Sequence, residues 1–198
     1  MTTNAFHDLE QVLKRCRDSF AIKIDAIGKD LSNTLKRGNK LLICGNGGSA
    51  AQAQHFSAEL LNQYCRPRHG LAAIALTTDT STITAIGNDY HFDSIFSKPF
   101  LALVRPDDVL ICITTSGNSG NILKVIKCAN DYGNKVILLT GNGGNAETEG
   151  GDAAALVSPS RAFVVPSQST PRIQEVHNVI IHGLCEAIDR DYFGVVDP

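Results

Sequence analysis

The sequence predicts an α/β fold: a doubly wound parallel sheet of five strands with helices on both faces, preceded by an N-terminal helical arm. Three observations predict it. Short apolar runs stand at 41–44, 71–76, 109–113, 135–140 and 162–165 without the alternation of a half-exposed strand. Stretches with helical spacing fall between and after them, at 49–64, 79–87, 93–103, 119–132 and 171–190. The turns that leave the first and third runs are rich in Gly, Ser, Thr and Asn and lead straight into helices. Residues 1–38 read as the arm and 39–198 as the sheet domain.

Composition narrows the function classes. A chain of 198 residues with 43% hydrophobic residues can bury the core of one domain. A net charge of -2 without a basic block speaks against nucleic acid as a partner. No apolar run approaches membrane-spanning length, and the N-terminus carries acidic residues and no apolar h-region, so a cytoplasmic protein is expected. Six cysteines (Cys16, Cys44, Cys65, Cys112, Cys128, Cys185) show no CxxC and no paired spacing, and buried reduced thiols are expected.

In the arm, Phe6, Leu9, Leu13, Cys16, Phe20, Ile24, Ile27, Leu31 and Leu35 recur at steps of three and four over 5–37. Gly28 is a candidate break into two helices, and the stripe is expected to pack on a partner subunit rather than only internally. The run Leu41-Leu42-Ile43-Cys44 then ends in Gly45-Asn46-Gly47-Gly48-Ser49. A Gly-rich turn opening a helix aims free backbone N–H groups above the sheet. His55 and Glu59 follow four residues apart, on one helix face. Alone, such a pair is commonly a surface ion pair; beside this turn it becomes a candidate site.

The third strand exits into Thr114-Thr115-Ser116-Gly117-Asn118-Ser119-Gly120. Hydroxyls and N–H groups at a helix N-terminus suit a phosphate dianion, and no Walker lysine follows. The alternative is that Ser119 merely caps the helix. Both turns lie at carboxyl ends of parallel strands, where ligands bind in open sheets, so they can share one pocket. Gly-Asn-Gly-Gly recurs at 141–144, where it reads as a plain strand exit, and 141–161 reads as loop with a short helix. The last helix, with Pro171 in its first turn, carries Gln174, Glu175, His177 and His182. Gln174 and His182 lie two turns apart and about 80° around an ideal helix, close enough for long side chains to converge, and His177 competes for the same role.

At these residues the chain resembles the bacterial phosphoheptose isomerases of the sugar isomerase (SIS) domain superfamily. The matching pieces are CGNGGSAAQAQHFSAELL, AIGNDYHFDSIFS, TTSGNSGNILKVI and RIQEVHNVIIH, spread from residue 44 to residue 182. The resemblance implies a flavodoxin-like SIS fold and a cytoplasmic homotetramer with active sites formed between subunits. The reaction it implies converts sedoheptulose 7-phosphate to D-glycero-D-manno-heptose 7-phosphate, the first step of the ADP-heptose route to lipopolysaccharide core. It further implies one zinc per subunit on His55, Glu59, Gln174 and His182. The implied phosphate loop is Thr114, Thr115, Ser116 and Ser119; Asn46, Gly47, Gly48 and Ser49 would line the sugar pocket, Gln174 would also face the substrate, and Asn88-Asp89 would form a substrate loop. Two positions depart from the pattern: Gln63 stands where some members carry Arg, and Pro171 where some carry Asp.

A second resemblance, in SAAQAQHF and RIQE, is to the initiator-associating proteins of bacterial replication, tetrameric adaptors of the same fold. Their pattern lacks the acidic residue at the place of Glu59 and the histidine at the place of His182, both retained here. A regulatory domain that senses sugar phosphates would keep the phosphate loop without needing that pair. The enzyme is therefore the expectation, with Glu59 as base and His182 as its acid/base partner in an enediol(ate) isomerisation. A carboxylate bound tightly to zinc is a poorer base, so either Glu59 leaves the metal when substrate binds or the zinc is partly structural.

Overall fold

The protein is described from a computed structural model that covers residues 4–142 and 150–194. Five strands form one parallel sheet: β1 (Leu41–Gly45), β2 (Ala73–Ala75), β3 (Val109–Ile113), β4 (Lys135–Gly141) and β5 (Ala162–Val165). Their order is β2-β1-β3-β4-β5. β1 and β3 run in register from Leu41↔Val109 to Gly45↔Ile113. The helices are α1 (Ala5–Lys36), α2 (Gly48–Leu61), α3 (Thr80–Asp89), α4 (Ser97–Leu103), α5 (Gly120–Asp131), α6 (Gly151–Ala155) and α7 (Thr170–Phe193), with single 3-10 turns at Phe92–Ser94 and Pro159–Arg161.

The continuous apolar runs mark a sheet covered on both faces, and alternate residues divide between the two sides. Leu41, Ile43, Ile111, Ile113 and Leu139 face α2 and α7, packing with Phe56, Leu60, Ile173, Ile180 and Leu184. Leu42, Cys44, Leu110, Cys112 and Leu138 face the other way, onto Phe96 and Phe100 around α4 and Ile122, Val125 and Ile126 of α5. Each side chain of this size buried in full stabilises the fold by roughly 1.5–3 kcal/mol.

α1 differs from expectation at Gly28. It is one unbroken helix, because Gly28 serves close packing: a Cβ there would collide with Ala187 Cβ of α7. Its inner stripe is also used within the chain, since Val12, Cys16, Ile27, Leu31 and Leu35 join the same apolar cluster as α7. Phe6 and Ile22 of α1 remain 89% and 75% exposed. Phe20 meets Phe163 edge to face, with centroids 5.3 Å apart. Asp30–Lys135 (2.6 Å) and Asp25–Arg190 (2.5 Å) ion pairs flank this packing at the surface.

Elsewhere the differences are of extent. α2 stops at Leu61 rather than 64, so Gln63 lies beyond the helix and is exposed. The helix expected at 93–103 is a 3-10 turn followed by α4, and 141–161 contributes α6 and a 3-10 turn. In the second Gly-Asn-Gly-Gly, Gly141-Asn142 ends β4, while 143–144 lie outside the described residues. Cys16, Cys44, Cys112 and Cys185 are buried free thiols as expected, but Cys65 is exposed and Cys128 half-buried. Cys44 and Cys112 are paired across β1 and β3 with sulfurs 3.6 Å apart, and burial pushes the Cys112 thiol well up. Among the described residues no helix is long and apolar enough to cross a membrane.

Candidate functional site

In the order β2-β1-β3-β4-β5 the chain moves outward from β1 in one direction and from β3 in the other. The crevice above their carboxyl ends is the topological switch point of the sheet. The turn 46–48 after β1 and the loop 114–119 after β3 both open there.

Gly47 adopts φ +54, a backbone conformation that disfavours a side chain, and so the turn can bring the start of α2 over the sheet. Ser49 is buried, and its N–H bonds back to the Asn46 carbonyl at 2.9 Å. The Asn46 and Asn121 amides exchange two hydrogen bonds of 2.9 Å, each donating one. Asn121 is buried in the first turn of α5, so this pair ties the β1 turn to the β3 loop. Its role had no sequence signal beyond its place next to the hydroxyl cluster, because its partner is distant in the chain.

In the second loop Thr114 is buried and Thr115, Ser116 and Ser119 are half-buried. The Thr114 hydroxyl accepts from Gly117 N–H at 3.3 Å, and the Ser116 hydroxyl accepts from Asn118 N–H at 3.2 Å. Among the described residues neither hydroxyl donates a hydrogen bond, which leaves both protons for a ligand. Ser119 occupies the N-cap of α5 without a side-chain capping bond, so capping does not account for it. Asn88 and Asp89 end α3, exposed and bonded to each other at 2.8 Å. The Asp93 carboxylate sits where a side chain at Gly120, at the end of this loop, would project.

On the α2/α7 side, His55 Nε2 lies 2.9 Å from His182 Nε2. Glu59 approaches the opposite nitrogen of His55, with Oε1 3.5 Å from Nδ1. A proton on His55 Nδ1, facing Glu59, leaves Nε2 to accept from His182. The Tyr64 ring lies beside His182, with centroids 5.9 Å apart, and its hydroxyl reaches Glu186 at 3.5 Å. Burial pushes the Tyr64 phenol up, keeping it protonated. Sequence spacing missed Tyr64, which lies just past the end of α2. The Gln174 side-chain amide lies where a side chain at Gly48 would project, and the Gln174 backbone carbonyl accepts from Gln52 Nε2 at 2.7 Å. His177 does not join this group. It is buried on the sheet side of α7, 3.3 Å from the Thr140 carbonyl, and burial lowers its pKa to about 4.

Two imidazoles and a carboxylate are donors that suit zinc, and two nitrogens bound tetrahedrally to one such ion stand roughly 3.3–3.4 Å apart. The His55–His182 separation of 2.9 Å is shorter than that and is a hydrogen-bond distance, while Glu59 faces the far nitrogen of His55. Among the described residues no group of three or more His, Cys, Asp or Glu side chains is arranged to hold a metal ion. The donor set suits zinc in its chemistry, while its arrangement here does not bring three of these donors to one point.

Comparison with known proteins agrees with the fold. Residues 6–141 match the family model described as SIS domain. The phosphoheptose isomerase of Shewanella loihica is 50% identical over 197 residues, covering 92% of this chain and 97% of its own. Two solved phosphoheptose isomerases are each 41% identical and cover 93% of this chain and 94% of theirs: that of Neisseria gonorrhoeae, with a TM-score of 0.83, and that of Francisella tularensis, with 0.86.

Proposed function

Because the chain belongs to the SIS-domain family and, within it, to the phosphoheptose isomerases, we propose that it converts sedoheptulose 7-phosphate to D-glycero-D-manno-heptose 7-phosphate, the first step of the ADP-heptose route to lipopolysaccharide core. The observation that carries the reading is the presence of two chemistries in one chain: a loop of hydroxyls after β3, and the Glu59–His55–His182 group where α2 meets α7.

An aldose–ketose isomerisation moves a proton between adjacent carbons through an enediol(ate). Thr114, Thr115, Ser116 and Ser119 hold the substrate phosphate with the N–H groups that open α5, and Asn88-Asp89 contribute from the end of α3. The turn of Asn46, Gly47, Gly48 and Ser49 lines the sugar, with Gln174 beside Gly48. Glu59 takes the proton from the carbon next to the carbonyl and returns it to the neighbouring carbon. His182 protonates and deprotonates the oxygens, and His55 between them holds the charge that passes. His55, Glu59, Gln174 and His182 would hold a zinc ion, one per subunit, which supplies Lewis-acid polarisation of a carbonyl oxygen. The protein works as a cytoplasmic homotetramer, for which exposed Phe6 and Ile22 on α1 leave apolar surface to cover.

Replacing Glu59 by Gln keeps the shape and removes the base. Turnover is expected to fall by at least roughly 10²-fold, the range of general acid–base catalysis, with phosphate binding kept. Zinc content is assayed in the same sample so that metal loss is separated from base loss. A Glu59→Gln protein that turns over like its parent removes Glu59 from the chemistry.

A further inference from the structure

The Arg68 side chain is 2% exposed, although the sequence gives it no part in any motif. Its guanidinium lies under the carboxyl end of α2, where a helix leaves carbonyls without intrahelical partners. Nη2 donates to the Glu59 carbonyl at 2.8 Å. Nη1 donates to the Leu60 carbonyl at 2.9 Å, with longer bonds to those of Asn62 and His69. The remaining donor, Nε, reaches Asp189 Oδ1 at 2.8 Å. Asp189 stands on α7, seven residues after His182 and so on the same side of that helix. Arg66 fixes the same turn by donating to the Asp189 carbonyl at 2.7 Å, and the Phe193 ring lies beneath both guanidiniums.

We infer that Arg68 is a positioning residue for the isomerisation: it locks the last turn of α2, which carries Glu59, onto the face of α7 that carries His182. This rests on the reading of Glu59 and His182 as the groups that move the proton. The two stand on different helices, and their separation depends on how those helices are held at this end. One planar cation satisfies two α2 carbonyls and one α7 carboxylate together. A lysine, with a point charge on a flexible stem, cannot span the same set. Loss of about 1 Å of placement in a reacting group costs on the order of 10²-fold in rate.

The test measures kcat and KM for sedoheptulose 7-phosphate, with zinc supplied, for the parent, Arg68→Lys, Asp189→Asn, Glu59→Gln and the double variant Glu59→Gln/Arg68→Lys. Asp189→Asn keeps the cap on α2 and weakens only the tie to α7, so it remains informative if Arg68→Lys folds poorly. Positioning predicts that kcat falls about 10- to 100-fold in both single variants with KM within about twofold. It also predicts that Arg68→Lys costs less than about threefold once Glu59 is already Gln, because residues acting as a unit are not additive. Equal losses in both backgrounds, or unchanged kcat in folded Arg68→Lys and Asp189→Asn with an active parent, overturn the inference alone. An inactive parent overturns the reading of the site and the inference with it.

Discussion

Ser116 and Ser119 show how much a single side chain can say. A serine before a helix commonly reads as a cap, yet Ser119 makes no capping bond, and Ser116 accepts a backbone N–H while keeping its own proton. A hydrogen bond to a charged group is worth roughly 1.5–3 kcal/mol, so Ser116→Ala is expected to raise the Michaelis constant about tenfold or more with the fold intact. Unchanged kinetics in that variant would take the loop out of the site. His177 gives a pH prediction. Its pKa is lowered by burial from an ordinary 6.5 to about 4, so the unfolded chain binds this proton before the folded one does. Stability is therefore complete above about pH 6.5, declines as pH falls towards 4, and levels off below, for a total loss of about 3 kcal/mol. Urea midpoints measured across that window should fall more steeply for the parent than for His177→Asn; parallel slopes would contradict the assignment. The hydroxyl cluster and the His55/Glu59 pair were legible in the sequence because each follows a local spacing. Asn121, Tyr64 and Arg68 were not, because their partners Asn46, His182 and Asp189 lie 75 to 121 positions away.

Among the elements, strands were the easier to read. Both faces of β1 and β3 are buried, so their sequences are apolar throughout and stand out from the helices around them. Helix ends were harder, since the last carbonyls of α2 are taken by the Arg68 guanidinium, eight and nine residues further on and outside the apolar spacing. α1 was read correctly as a helix and incorrectly as a candidate for breakage. Glycine lowers helix propensity by about 1 kcal/mol relative to Ala, but Gly28 is kept where α7 approaches too closely for any side chain. Gly28→Leu should therefore destabilise the fold by about 1–3 kcal/mol, as overpacking does, seen as a lower urea midpoint. An unchanged midpoint would mean that the α1–α7 packing is not as close as described.

For the whole molecule, the order β2-β1-β3-β4-β5 brings the two loops of the candidate site together, because it places the ends of β1 and β3 side by side although 67 residues separate Gly45 from Ile113. Alternation of short apolar strands with helices predicted the class of sheet. The crossing of α7 back over α2, which brings His182 to His55, follows from packing across the chain and has no local signature. The same packing favours the enzyme over the adaptor of similar fold: a protein that only binds a partner has no need of a carboxylate and two imidazoles brought together between α2 and α7. The direct measurement is incubation of the purified protein with sedoheptulose 7-phosphate, zinc supplied, followed by detection of the aldose phosphate. The account predicts that D-glycero-D-manno-heptose 7-phosphate forms. Absence of isomerisation under those conditions, together with tight binding to the replication initiator, would contradict it.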